Sequence, residues 1–152
     1  MTAPLHYPMR AIVGLALAAC LTGCRDGSPA SRESKVVTGA DALANTAWRL
    51  KSIGGTPVLD SVEANIKFSK AVKVAGKGSC NRFFGTVKIA GDTISFPQLG
   101  STRMACPEPV MNQESKFLKA LEDAERFGVE DTTLSIYAKG LDQPLRFTRM
   151  KS

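Results

Sequence analysis

Phe83-Phe84-Gly85-Thr86-Val87-Lys88-Ile89-Ala90-Gly91-Asp92-Thr93-Ile94-Ser95-Phe96 is the stretch that decides the fold. Phe83, Val87 and Ile89 share one parity, and Ile94 and Phe96 resume an alternation beyond Gly91-Asp92. A period of two places alternate side chains on opposite faces, so the run predicts two half-buried strands joined by a tight turn. Gly85 interrupts the apolar parity, which marks a bulge or a close backbone approach. The same period continues on both sides. Upstream, Trp48, Leu50 and Ser52 alternate with Arg49 and Lys51 as far as the turn signal Gly54-Gly55. Ile66 and Phe68 alternate with Lys67 and Ser69, and Val72 and Val74 flank Lys73 ahead of a hairpin at Gly76-Lys77-Gly78. Downstream come Leu134 and Ile136, then Leu145 and Phe147 after Pro144.

One segment keeps a different period. Met111, Phe117, Leu118, Leu121 and Ala124 recur at helical spacing with charges between them, Pro109 near the start and Gly128 closing the stretch. Glu114, Glu122, Asp123 and Glu125 are expected on the solvated face of this helix. The fold class that follows is α+β and mainly β: a curved antiparallel sheet or small barrel of about seven to eight strands carrying one amphipathic helix. There is no internal repeat and no glycine-rich phosphate loop.

The first residues set the compartment. Arg10 precedes the apolar run Ala11 to Ala19, and Leu21-Thr22-Gly23-Cys24 follows it. A basic start, a short apolar stretch and a small-residue exit read as an export signal. The run is too short for a membrane span, which needs roughly twenty apolar residues. Leu-Thr-Gly-Cys resembles the bacterial lipobox, in which the cysteine is acylated and becomes the first mature residue. The expected organisation is a lipoprotein signal peptide at 1–23, a flexible tether at 24–44 and a folded domain at 45–152. Asp26, Gly27, Ser28, Pro29, Ser31, Arg32, Glu33, Ser34 and Lys35 give the tether its polar composition.

Export limits the chemistry. Of 4 cysteines, Cys20 leaves with the signal and Cys24 takes the lipid. Cys80 and Cys106 remain, one pair in an exported protein, for which a disulfide is the default reading. Their separation suits neither Cys-x-x-Cys nor a zinc site. The only histidine, His6, is removed with the signal, which excludes Ser-His-Asp and Cys-His catalysis and paired-histidine zinc motifs. Carboxylate-only or lysine-based mechanisms survive in principle. No catalytic residue, metal or cofactor is expected. The net charge of +6 falls to +5 once the signal with Arg10 is removed, and it favours anionic partners. Export removes nucleic acid, so phospholipid headgroups, lipopolysaccharide or cell-wall polymers remain, beside plain solubility charge. Arg82-Phe83-Phe84 imitates a basic–aromatic nucleic-acid motif, but strand alternation explains it.

Gly78-Ser79-Cys80-Asn81-Arg82-Phe83-Phe84-Gly85 and Ser101-Thr102-Arg103-Met104-Ala105-Cys106-Pro107 resemble the two signature blocks of the META domain family. The likeness is to its bacterial heat-shock-inducible lipoproteins, and it extends from Trp48 to about Phe147. The resemblance implies a compact domain similar to small lipocalin-like barrels, a place in the bacterial envelope, a link to stress, and no established enzymatic activity. By sorting convention Arg25 after the lipidated cysteine directs such a lipoprotein to the outer membrane, facing the periplasm.

Two readings compete for the blocks. In one, Asn81 shapes a turn, Phe83 fills the core and Cys80 staples to Cys106. In the other, Asn81, Arg82, Thr102 and Arg103 face a ligand, with forked arginine hydrogen bonds to a carboxylate or phosphate. The structural version is favoured, and Arg103 is its exception. Three functions remain in view: a monomeric envelope-tethered stress or assembly factor working by binding to an envelope protein or anionic component, a barrel binding a lipid or other apolar molecule, and an inhibitor of an exported hydrolase.

Overall fold

The hairpin around Gly91 forms, with Gly91 at φ 60° turning β6 (Arg82–Ala90) into β7 (Thr93–Ser101). The computed structural model describes residues 36–70 and 72–151, so the expected signal at 1–23, Cys24 and the first part of the expected tether lie outside the described residues. In chain order the other elements are β1 (Val36–Val37), α1 (Ala40–Leu43), β2 (Thr46–Ile53), β3 (Thr56–Pro57), β4 (Asn65–Ser69), β5 (Lys73–Lys77), α2 (Glu108–Glu122), β8 (Ala124–Glu130), β9 (Thr133–Ala138) and β10 (Leu145–Arg149). The fold is mainly β, as the alternation predicts.

Eight strands close into an antiparallel barrel in the order β8, β7, β6, β5, β4, β2, β10, β9, with β9 pairing back onto β8. Closure removes the exposed edges of an open sheet. The seam between β7 and β8 is thin. It holds the pair Thr93↔Arg126 and a hydrogen bond from Phe127 N–H to the Asp92 carbonyl at 2.8 Å. Past that point β1 takes over the edge of β8, pairing Val36 with Glu130 and Val37 with Val129. β3 is the second strand outside the barrel, folded back on β2 through Gly54 and Gly55, both at positive φ.

Gly85 is a close approach with a bulge beside it. A Cβ there would stand 2.1 Å from the Gln98 carbonyl oxygen. The β6–β7 register then shifts between Thr86 and Lys88. The expected hairpin at Gly76-Lys77-Gly78 lies a little further along. Gly76 and Lys77 belong to β5, and the turn is Gly78 to Asn81, closed by Gly78 N–H on the Asn81 carbonyl at 2.7 Å.

Two boundaries differ from the sequence reading. The helix stops at Glu122, and Gly128 sits inside β8. A bulge between Ala124 and Arg126 brings Ala124, Phe127 and Val129 to the inner wall together, which breaks the parity by which a strand is read. Residues 36–44, expected as the end of the tether, contribute β1 and α1, with Leu43 wholly buried.

The interior is filled by side chains. Trp48, Leu50, Ile66, Phe68, Phe83, Ile94, Leu134, Ile136, Leu145 and Phe147 point inward from the strands and are almost completely buried. Trp48 satisfies its indole by donating Nε1–H to Thr46 Oγ1 at 2.7 Å. α2 packs chiefly on β7, with contacts to β2 and β9, and sends Phe117 into the core. The Phe117 ring meets Phe83 edge-on at 5.7 Å and Phe147 at 6.0 Å. β6 and β10, which carry those two rings, are opposite walls of the barrel. One aromatic from the helix therefore spans the lumen. Each such buried side chain is worth about 1.5–3 kcal/mol, so the core outweighs any single cross-link.

Candidate functional site

The two loops that flank the cysteines meet at one end of the barrel, over the start of α2. Cys80 Sγ is bonded to Cys106 Sγ, with the Cα atoms 6.1 Å apart. Around this bridge lies a closed hydrogen-bond network centred on Glu114, which is only 5% exposed. Its Oε2 accepts the backbone N–H of Cys80 at 2.9 Å and of Asn81 at 2.6 Å. Its Oε1 accepts Asn81 Nδ2–H at 2.7 Å. Three donors converge on the two oxygens, an arrangement suited to a carboxylate, which only accepts.

Asn81 carries the network onward. Its Oδ1 accepts Met104 N–H at 2.7 Å and the Thr102 hydroxyl at 3.0 Å, and its Nδ2 also reaches the Met104 carbonyl at 3.3 Å. The Thr102 oxygen in turn accepts Arg82 N–H at 3.1 Å. One residue before Glu114, Gln113 Nε2–H donates to Ser79 Oγ at 2.8 Å and its Oε1 accepts Leu59 N–H at 2.7 Å. Ser79 holds φ 139°, a conformation that few side-chain-bearing residues adopt. Gly78 has no room for a side chain, since a Cβ would stand 2.7 Å from Glu114 Oε2. Among the described residues no buried side-chain polar atom lacks a partner.

The four candidate binding residues therefore part company. Asn81 is buried and points inward, and the Thr102 hydroxyl is spent on Asn81 and Arg82. Arg82 and Arg103 are exposed, and among the described residues neither forms a salt bridge. Glu114, read from sequence as part of a solvated face, is the centre of the network. Its signal was spacing: Glu114, Phe117 and Leu121 lie on one helical stripe, and all three are buried. Among the described residues no cluster of three or more metal-ligating side chains occurs.

The profile of the META domain matches residues 41–151. Heat shock protein HslJ of Escherichia coli is 28% identical over 100 residues, which cover 65% of this chain and 66% of that protein, just under two thirds of its length. Among solved structures, the NMR structure of a protein from Burkholderia xenovorans superposes with a TM-score of 0.62 at 25% identity, covering 82% of this chain and 100% of that one. A DUF4847 family protein from Bacteroides vulgatus shares the fold alone, with a TM-score of 0.53 at 16% identity over 74% of this chain and 97% of its own.

Proposed function

The chain belongs to the META domain family, and on that premise we propose that it is an envelope lipoprotein of the heat-stress-related branch that works by contact and not by turnover. The observation that carries this reading is that the side chains of Asn81, Thr102 and Glu114 are engaged with one another and with the backbone. The polar groups most suited to chemistry hold two loops and a helix to one another, which leaves the outer wall of the barrel to meet partners. A lumen crossed by Phe117 supports the same choice over a barrel that encloses an apolar ligand. Leu21-Thr22-Gly23-Cys24 supplies the anchor, and Arg25 the outer-membrane destination facing the periplasm.

Growth with radiolabelled palmitate tests the anchor. The native chain takes up label and begins at Cys24, while Cys24→Ala takes up none. A native chain that stays unlabelled and keeps Met1 would overturn the lipoprotein reading.

A further inference from the structure

Charge is unevenly spread along this chain. Residues 64–91 contain Lys67, Lys70, Lys73, Lys77, Arg82 and Lys88 and no acidic residue, whereas residues 108–131 hold seven acidic residues and three basic ones. Strand register turns the first bias into a surface. Lys67 of β4, Lys73 and Lys77 of β5, and Arg82 and Lys88 of β6 all point out of the barrel. Among the described residues none of them forms a salt bridge. In their midst Phe84 is 60% exposed, set between Ala75 of β5 and Gly100 of β7, with its ring over the space a Gly100 side chain would fill. Beside it Lys67, Lys77 and Arg82 line a shallow groove of about 340 Å³.

We propose that the outer face of β4, β5 and β6 docks on a bilayer carrying anionic phospholipid, with lysines on the phosphates and Phe84 at the headgroup boundary. Lysine is a point charge on a flexible stem, suited to mobile phosphates, and four of the five outward cations are lysines. An acidic protein partner would need about 800 Å² of matched surface, while the wall of a closed barrel is convex and the residues of β4, β5 and β6 include one exposed large apolar side chain, Phe84, with Val72 just before β5. Cationic residues near an anionic leaflet each add about a fivefold factor to binding. This deepens the anchored reading: the acyl chain supplies proximity, and this face sets which side of the barrel meets the membrane.

The test places a reporter at the centre of the face. Phe84→Trp adds an exposed indole to a chain whose own Trp48 is 0% exposed. The full chain is mixed with vesicles of phosphatidylcholine alone or with phosphatidylglycerol, with brominated acyl chains as quenchers. The new indole shifts to the blue and is quenched only with phosphatidylglycerol, and the effect disappears in high salt. Adding Lys67→Gln, Lys73→Gln and Lys77→Gln weakens docking about 100-fold. Equal spectra in the two vesicle types, survival of the effect in the triple variant, or the same shift with soluble polyglutamate in place of vesicles each overturns the proposal. Palmitate at Cys24 is scored on the same samples. Label without a lipid-dependent shift rejects the face, and a shift without label rejects only the anchor.

Discussion

Replacing Glu114 should loosen the whole barrel end, and the size of the effect follows from what its carboxylate holds. In Glu114→Ala three buried N–H donors, those of Cys80, Asn81 and the Asn81 side chain, lose their acceptor. An orphaned buried donor costs about 1–3 kcal/mol, and water entering the vacated space relieves part of that, so we expect a loss of about 4 kcal/mol. Glu114→Gln keeps one acceptor oxygen for the two backbone donors but sets an amide N–H against Asn81 Nδ2. Turning Asn81 over to meet it would forfeit its bonds to Met104 N–H and the Thr102 hydroxyl. One hydrogen bond and the charge assistance are lost, about 2 kcal/mol. A buried carboxylate also carries a desolvation penalty, which an apolar residue of similar length would remove. Glu114→Met therefore separates the two effects: it fills the space and leaves the donors bare, and it should still lose about 3 kcal/mol.

Urea unfolding with the disulfide intact measures this. With a slope of about 2 kcal/mol/M, Glu114→Ala moves the midpoint down by about 2 M. Glu122→Ala, on the exposed side of the same helix, stays within about 0.5 kcal/mol of the native chain. A Glu114→Ala or Glu114→Met midpoint indistinguishable from native would refute the claim that this network holds the loops.

Three further outcomes are expected. Non-reducing peptide mapping recovers Cys80 joined to Cys106, and Cys80→Ala with Cys106→Ala lowers stability by about 3–4 kcal/mol on the chain-entropy treatment; free thiols at both positions would contradict the bridge. Combining that pair with Glu114→Gln should depart from additivity by at least about 0.5 kcal/mol, since both hold the Gly78–Asn81 turn, and strict additivity would show that they act separately. Phe117→Ala should cost about 3–5 kcal/mol in the same titration, because the ring reaches both walls of the lumen, and a loss below about 1 kcal/mol would place that ring outside the core.

The strands were legible in the sequence because a barrel wall with one dry and one wet side imposes a period of two. Trp48, Ile66, Phe83, Ile94, Leu134 and Phe147 all kept it. β8 escaped because its bulge resets the parity after Ala124, a residue that also continues the helical stripe from Leu121. β1 and α1 escaped because composition alone shows neither that two valines will cover an edge left open by β7 nor that Leu43 will be buried. Of the candidate site, the cysteine pair followed from counting, whereas the fate of Asn81 and Thr102 depended on a partner, Glu114, whose charge suggested solvent. A carboxylate on the same stripe as Phe117 and Leu121 is the signal that should have outweighed its polarity.

The helix explains why Asn81 and Glu114 are buried and hydrogen-bonded to each other. α2 connects β7 to β8 and packs chiefly on β7, with contacts to β2 and β9. Phe117 fixes it to the core, but one ring does not set its rotation about the helix axis or its slide along it. Glu114, nearly one turn earlier, sets both by engaging two backbone N–H groups in a turn whose glycine leaves just enough room for the carboxylate. The Gly-Ser-Cys-Asn and Thr-Arg-Met-x-Cys blocks form the rest of that seat, and the disulfide joins the two blocks to each other. Side chains engaged in this way have little freedom to meet a partner. Among the described residues, the lysines of β4 to β6 form no salt bridge, and no unusual motif marks that wall.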